Sequence, residues 1–438
     1  MARRPESRLS LILALSALIY GGCAETGTAG QSRSYGGAGE RANQPAGGSS
    51  GQGGERAADG GTPSLADGGS LASAGAAAAV SSGGAQNAGG VASGDAGAGA
   101  YPTVPFVYVG STNGQISIFT LDAALGKLTL LKSVAAGDYP SFLAFDPSYA
   151  HLFAVNEADA KVASFSVDPK TGDLALLNRV NSGGASPAHV SVDRSGKFLL
   201  VANYGAGTTR IFSIRSDGSL GGLTDSQAPG ENSHMFVTDP GNQFAFVVNK
   251  GSDTITQYAF DATSGTLTPN AVPTVTTPAG AGPRHLAFHP NGKFAFVIAE
   301  TDDTLAAYAY DEQLGRLSFL ESKSTLPSGE DGDANTCAEV VVAPSGKFVY
   351  GSNRGHDSIV RFSIDSETGG LTFIDTTPSG GNVPRSFTLS ADGELMLVAN
   401  ESGNVTSFSV NTKSGALTKL TSLDVPQKPQ FVGIAYLR

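Results

Sequence analysis

The sequence predicts an all-β chain, a seven-bladed β-propeller of four-stranded antiparallel blades, on three observations. A unit of roughly 45 residues recurs seven times from Tyr101 to Arg438, a period that belongs to solenoids, propellers and arrays. Each copy reads as four short apolar-rich runs separated by Gly, Asp and Ser, the pattern of successive hairpins. The first copy lacks its opening run, and the last residues of the chain supply one. Four-stranded units cannot bury both faces alone, and stacking them radially does so while leaving only short edges.

The third copy shows the unit plainly. Pro187-Ala188-His189-Val190-Ser191-Val192 opens it, Gly196-Lys197-Phe198 leads into a second run ending at Asn203, and Thr209 to Ile214 alternates as a third strand. The opening slot holds Pro140, Pro187, Ser233, Pro283, Cys337, Pro384 and Pro429, spaced 45 to 54 residues apart. Copy one begins at Phe106-Val107-Tyr108-Val109, which matches the second strand of the others. Its missing first strand is Pro429-Gln430-Phe431-Val432-Gly433-Ile434-Ala435-Tyr436, so the C-terminus is expected to complete blade one and lock the ring.

Ahead of the repeats, residues 1–22 read as a secretory signal, with Arg3, Arg4 and Arg8, an apolar stretch from Leu9 to Tyr20, and Gly21-Gly22. Cys23 follows at once, as at a bacterial lipoprotein processing site where the thiol receives lipid; a plain signal or an uncleaved anchor is the alternative. The apolar stretch is short for a membrane span. Residues 23–100 are rich in Gly, Ala and Ser without a periodic apolar face, and read as a disordered tether. The expectation is thus an exported protein, facing periplasm or cell surface and held to a membrane only through that lipid. With two cysteines, Cys23 and Cys337, no disulfide framework is available, and Cys337 reads as a buried, inert thiol.

The formal charge is −11, and losing three arginines and one glutamate with the leader takes it to −13. No basic stripe, tryptophan or phosphate-binding glycine loop argues for nucleic acid or nucleotide. No cofactor or metal motif is read. His285 and His289 lie four apart on a strand, about 13 Å from one another, too far to share an ion.

Comparing copies isolates the residues that break the pattern. One place after the opening slot the ring reads Ser141, Ala188, His234, Arg284, Ala338, Arg385 and Gln430; one place further it reads Phe142, His189, Met235, His285, Glu339, Ser386 and Phe431. The ends of the second strands read Asn156-Glu157, Asn203-Tyr204, Asn249-Lys250, Ala299-Glu300, Asn353-Arg354 and Asn400-Glu401, with Gly110-Ser111 in blade one. The recurring Asn reads as a turn device that bonds nearby backbone. His234, Arg284, His285, Glu300, Glu339, Arg354 and Arg385 all fall in blades four to seven, toward one mouth of the ring. Arginines there can grip an anion and offset charge on a reacting oxygen, while a Glu and a His can move protons. The bland reading is that these charges brace one another.

Gly282-Pro283-Arg284-His285-Leu286-Ala287-Phe288-His289-Pro290, with Pro187-Ala188-His189-Val190, Ala338-Glu339, Ser352-Asn353-Arg354-Gly355 and Pro384-Arg385-Ser386-Phe387, resembles the seven-bladed lactonase family. That family includes propeller-type bacterial 6-phosphogluconolactonase and fungal carboxy-muconate lactonising enzyme, and the resemblance spans Tyr101 to Arg438. It implies hydrolysis of a sugar lactone, or the related muconate cyclisation, without a required metal or cofactor, on a small anionic substrate and as a monomer. By position it implies a catalytic group of His234, Arg284, Glu300 and Arg354, with His189, His285, Glu339 and Arg385 as substrate-binding residues. A binding propeller that uses the same cup without catalysis is the other class of function the sequence leaves open.

Overall fold

The structure, a computed structural model, describes residues 104–437 apart from 331 and 426. The expectations for the leader, for Cys23 and for the tether fall outside the described residues.

Among the described residues, 28 strands pair into seven four-stranded antiparallel sheets. Six sheets run in simple sequence order. In blade one the strand Pro429–Leu437 pairs with Val104–Ser111, which continues to Gln115–Asp122 and Lys127–Ala135. The register Val107↔Ile434 and Val109↔Val432 joins the two ends of the domain, as the sequence predicts. No helix among the described residues is long and apolar enough to cross a membrane.

The inner strands of each blade are buried and the outermost are exposed. The second strand of blade three, Phe198–Asn203, is buried along its length, and so is Phe294–Ala299 of blade five. Neighbouring blades cover both faces of such strands, so they read as continuous apolar runs rather than alternating ones. The outermost strands, such as Lys127–Ala135 and Arg316–Ser324, are largely exposed, and their lysines, serines and threonines discourage pairing with other chains. The core accordingly lies between sheets. Phe294, Phe296, Cys337, Val340, Val349 and Phe362, for example, form one cluster shared by blades five and six.

Two recurring sequence features turn out to be one device. The phenylalanine that opens a second strand packs on the glycine of the next blade's outer hairpin. A Cβ added to Gly369 (φ 75°) would lie 2.5 Å from Phe294 Cδ1, and one on Gly172 (φ 72°) would lie 2.5 Å from Phe106 Cδ1. Tyr108 donates a hydrogen bond to the same Gly172 carbonyl at 2.8 Å, and Tyr350 repeats this with Gly415. The Thr-Gly turns therefore do more than reverse the chain: they are seats for the neighbouring blade.

The recurring Asn does more than expected in two blades. Besides bonding Thr208 Oγ1 and Ser358 Oγ across their own turns, Asn203 donates to Ser182 O at 3.1 Å and Asn353 to Thr325 O at 3.0 Å. Both carbonyls lie on the segment that leaves the preceding blade's outer strand. A buried carbonyl there needs a partner, and the side chain provides it from the next blade.

Gly369→Ala combines left-handed strain with a collision against a buried ring, and should lower stability by about 1–3 kcal/mol. Urea unfolding of the two proteins measures this; an unchanged midpoint would mean that the glycine seat carries no packing constraint.

Candidate functional site

The cup is built by a defect repeated in every blade. Along each inner strand one extra residue is inserted directly after the opening slot. Pro283 pairs with Ala299 and His285 with Ile298, leaving Arg284 unpaired between them. Ser141, Ala188, His234, Arg385 and Gln430 are passed over in the same way. Blade six passes over two residues, Ala338 and Glu339. A bulge bends the strand and re-aims the extra side chain, and here it does so toward the end of the ring where the inner strands begin.

Three of the sequence-predicted residues, Arg284, Arg354 and Glu300, meet in one cluster centred on the Glu300 carboxylate. Glu300, following the second strand of blade five, has Oε2 3.1 Å from Arg284 Nε and Oε1 3.2 Å from Arg354 Nη2. Lys250, at the matching position in blade four, donates to Oε1 at 2.6 Å. Arg284 Nη1 also donates to Ala338 O at 2.6 Å, and Arg354 Nη2 to Cys337 O at 2.9 Å. Arg284 Nε is close to Glu300 without the alignment of a hydrogen bond. It and Arg354 Nε are buried with no hydrogen-bond partner.

His234 stands beside this group, its ring centroid 5.1 Å from that of His285 and 5.6 Å from Tyr204. Its Nδ1 is buried and also lacks a partner. Arg385 sits across the cup, loosely paired with Glu401 at 3.5 Å. His285, Glu339 and His189 lie deeper. His285 Nδ1 is 2.8 Å from Glu339 Oε1, and His189 stacks against Phe142 with centroids 4.4 Å apart. Side chains of Lys250, Glu300 and Arg354 are 23%, 15% and 13% exposed, and those of Glu339, Arg284 and His285 are 5%, 3% and 1%. His189, His285 and Glu339 are thus buried together beside the Glu300 cluster.

The electrostatics follow from these contacts. Burial disfavours the Glu300 carboxylate, but Arg284, Arg354 and Lys250 outweigh it and hold its pKa at about 2. Burial, with Arg354 and Arg385 nearby, presses Arg284 down to about 9, which leaves it charged at neutral pH. His234 is pushed well below the ordinary imidazole value by burial and then by Arg284, and is neutral. Burial raises Glu339 to about 8, despite Arg284 and Arg385, so this carboxyl keeps its proton at neutral pH.

Lys250 and Tyr204 were not singled out from the sequence. Lys250 Nζ lies 6.0 Å from the Tyr204 ring centroid, so the pair forms the wall beside His234. The signal was there: both residues follow the second-strand Asn, at the position that yields Glu300 and Arg354 one and two blades on. Cys337 is buried, its Sγ 3.2 Å from both Thr325 Oγ1 and Asn353 Oδ1, and burial raises its pKa far above the thiol range, so it is inert. His289 bonds Gly346 O at 2.8 Å and is a structural residue away from the cup.

Fold and cup together define a seven-bladed propeller with a cluster of cationic side chains at one end of its inner strands. Residues 106–433 match the family described as "Lactonase, 7-bladed beta-propeller", and the chain belongs to that family. A 6-phosphogluconolactonase of Formosa agariphila is 32% identical, the match covering 72% of this chain and 95% of that protein. One from Bacillus subtilis is also 32% identical, over 72% and 92%. Among solved structures, the periplasmic gluconolactonase of Pseudomonas aeruginosa matches with a TM-score of 0.71 and 26% identity, covering 77% of this chain and all of that one.

Because its folded pKa is depressed, Glu300 stabilises the fold above its ordinary value of 4.5, and this is lost as pH falls through about 2. The melting-temperature gap between wild type and Glu300→Gln should therefore be largest near neutrality and close as pH approaches 2. A gap that stays constant over that range would show that the three cations do not depend on this charge.

Proposed function

We propose that this protein is a lactone hydrolase acting on a sugar lactone in the cup formed by His234, Arg284, Glu300 and Arg354. The observation that carries this reading is that two arginines and a lysine converge on one carboxylate at one end of the inner strands. Such a cluster of cations suits an oxygen that gains negative charge or an anionic substituent beside it. Membership of the lactonase family and the names borne by its relatives support the same reaction class.

The charge states divide the roles. Glu300 is held at about 2 by three cations and is a poor proton acceptor; its work is to keep Arg284, Arg354 and Lys250 together. His234 is neutral and has an unengaged ring nitrogen, so it is the general base. Water adds to the lactone carbonyl carbon as His234 takes its proton. The carbonyl oxygen becomes an oxyanion held by Arg284 and Arg354. Collapse breaks the bond to the ring oxygen, which leaves with the proton returned by His234, giving the open hydroxy acid. Arg385 and Lys250 border the cup and are placed for the substrate's polar substituents.

The leader and Cys23 make this an exported enzyme, tethered by lipid, and a periplasmic gluconolactonase among its structural neighbours fits that setting. An enzyme there would meet an unphosphorylated aldonolactone rather than a sugar phosphate.

Proton release above the spontaneous rate on δ-gluconolactone, compared with 6-phosphogluconolactone, tests the reaction and the substrate together. Arg284→Ala should lower kcat/KM by about a hundredfold or more, the loss of one oxyanion donor. His234→Asn should remove the acid limb of the rate profile, which lies well below pH 6.5 because the neutral imidazole is the active form. Wild-type turnover in both variants would exclude this cup as the site.

A further inference from the structure

Blade six departs from the other six at the cup. Its inner strand, Thr336–Val342, resumes pairing only at Val340, so the carbonyls of Cys337 and Ala338 are free to accept Arg354 and Arg284. The same wide bulge leaves Glu339 unpaired in the ladder and in contact with His285. The Glu339 N–H donates to Ser352 Oγ at 3.0 Å, and the Val340 N–H donates to Glu339 Oε1 at 3.1 Å.

A guanidinium has donors only, so the 3.3 Å contact of Arg284 Nη1 makes His285 Nε2 an acceptor. His285 Nδ1 then carries the ring proton and donates to Glu339 Oε1 at 2.8 Å. The direction of the chain is fixed at every link: Arg284 to His285 to Glu339. Packing alone does not call for a carboxyl at this place. The equivalent positions hold Phe431, Phe142 and Met235 in blades one, two and four and His189, His285 and Ser386 in blades three, five and seven, so Glu339 is the one carboxyl in the row.

We propose that His285 and Glu339 are positioning residues that hold the Arg284 guanidinium in its working orientation through this fixed hydrogen-bond chain, without touching the substrate. The proposal rests on the lactonase reading for its kinetic readout and on the fold alone for its geometry. The charged and titratable groups around Glu339 are His285, Arg284 and Arg385, with His189 and His234 packed against His285. Glu339 is neutral below about pH 8, and its ionisation would place a new anion near Arg284 and draw it from its orientation. The wild-type rate should therefore fall on an alkaline limb near that pH.

The test compares Glu339→Leu, Glu339→Gln and His285→Phe across pH 6 to 10. Kinetics on δ-gluconolactone are paired with the affinity for gluconate and 6-phosphogluconate by calorimetry. Glu339→Leu and His285→Phe should lower kcat about tenfold or more with a smaller change in KM, as expected for a misplaced catalytic group. The double variant should be no worse than either single one. Glu339→Gln, which keeps the acceptor oxygen, should recover most of that turnover and lose the limb near pH 8, leaving only the later loss of the Arg284 charge at about 9. A limb near pH 8 that survives in Glu339→Gln, or full turnover in a folded Glu339→Leu, overturns the proposal. If Glu339→Leu does not fold, the Glu339→Gln profile decides. If the wild type opens no lactone, the lactonase reading fails by itself, and the proposal stands or falls on whether anion affinity loses its pH dependence in Glu339→Gln.

Discussion

The insertion of one extra residue at the same place in all seven inner strands is the constraint on which the cup depends. A regular strand sends successive side chains to opposite faces, so Arg284 and His285 could not act on the same space. The bulge removes that alternation for one residue, and closure of the ring by Pro429–Leu437 then points all seven irregular positions toward a common axis. An open or shifted ring would scatter them. The stability of the propeller and the geometry of its polar end are therefore the same problem.

That geometry concentrates charge where water is scarce. Three cations around Glu300 would repel one another, and the single carboxylate holds them within 3.2 Å of its oxygens. Such a cluster is weak evidence for stability, since desolvation offsets the attraction. Its value lies in orientation: donors already fixed at the place where negative charge develops need no rearrangement during reaction. The two arginine Nε atoms and the His234 Nδ1 left without partners belong to this arrangement, because buried polar atoms normally find one. Opposed pKa shifts mark the division of labour, with Glu300 locked as an anion and Glu339 kept neutral a few residues' width away.

Around the cup, the repeats stay alike for reasons of packing between blades. Phe294 on Gly369, Tyr350 on the Gly415 carbonyl and Asn353 on the Thr325 carbonyl each join one blade to the next. Since these contacts recur, departures from the unit are concentrated at positions that packing leaves free. His234 in place of Ala188, or Glu339 in place of Phe142, is informative for that reason.

The sequence by itself determined the blade count, the strand order and the closing strand, because a four-stranded unit repeated seven times has only one way to bury its faces. It also determined that His234, Arg284, Glu300 and Arg354 share one end of the ring, since that follows from their place in the repeat. What only the tertiary structure decided is who touches whom. Lys250 joined the Glu300 cluster, while His285 and Glu339 paired with one another, and no spacing separates those outcomes. Likewise the Asn of the second strands was legible as a hydrogen-bonding residue but not as a bond to a carbonyl 21 or 28 residues away. Repeat position fixes a residue's angle around the axis; its depth and partners depend on bulges and on neighbouring blades, which are properties of the assembled ring.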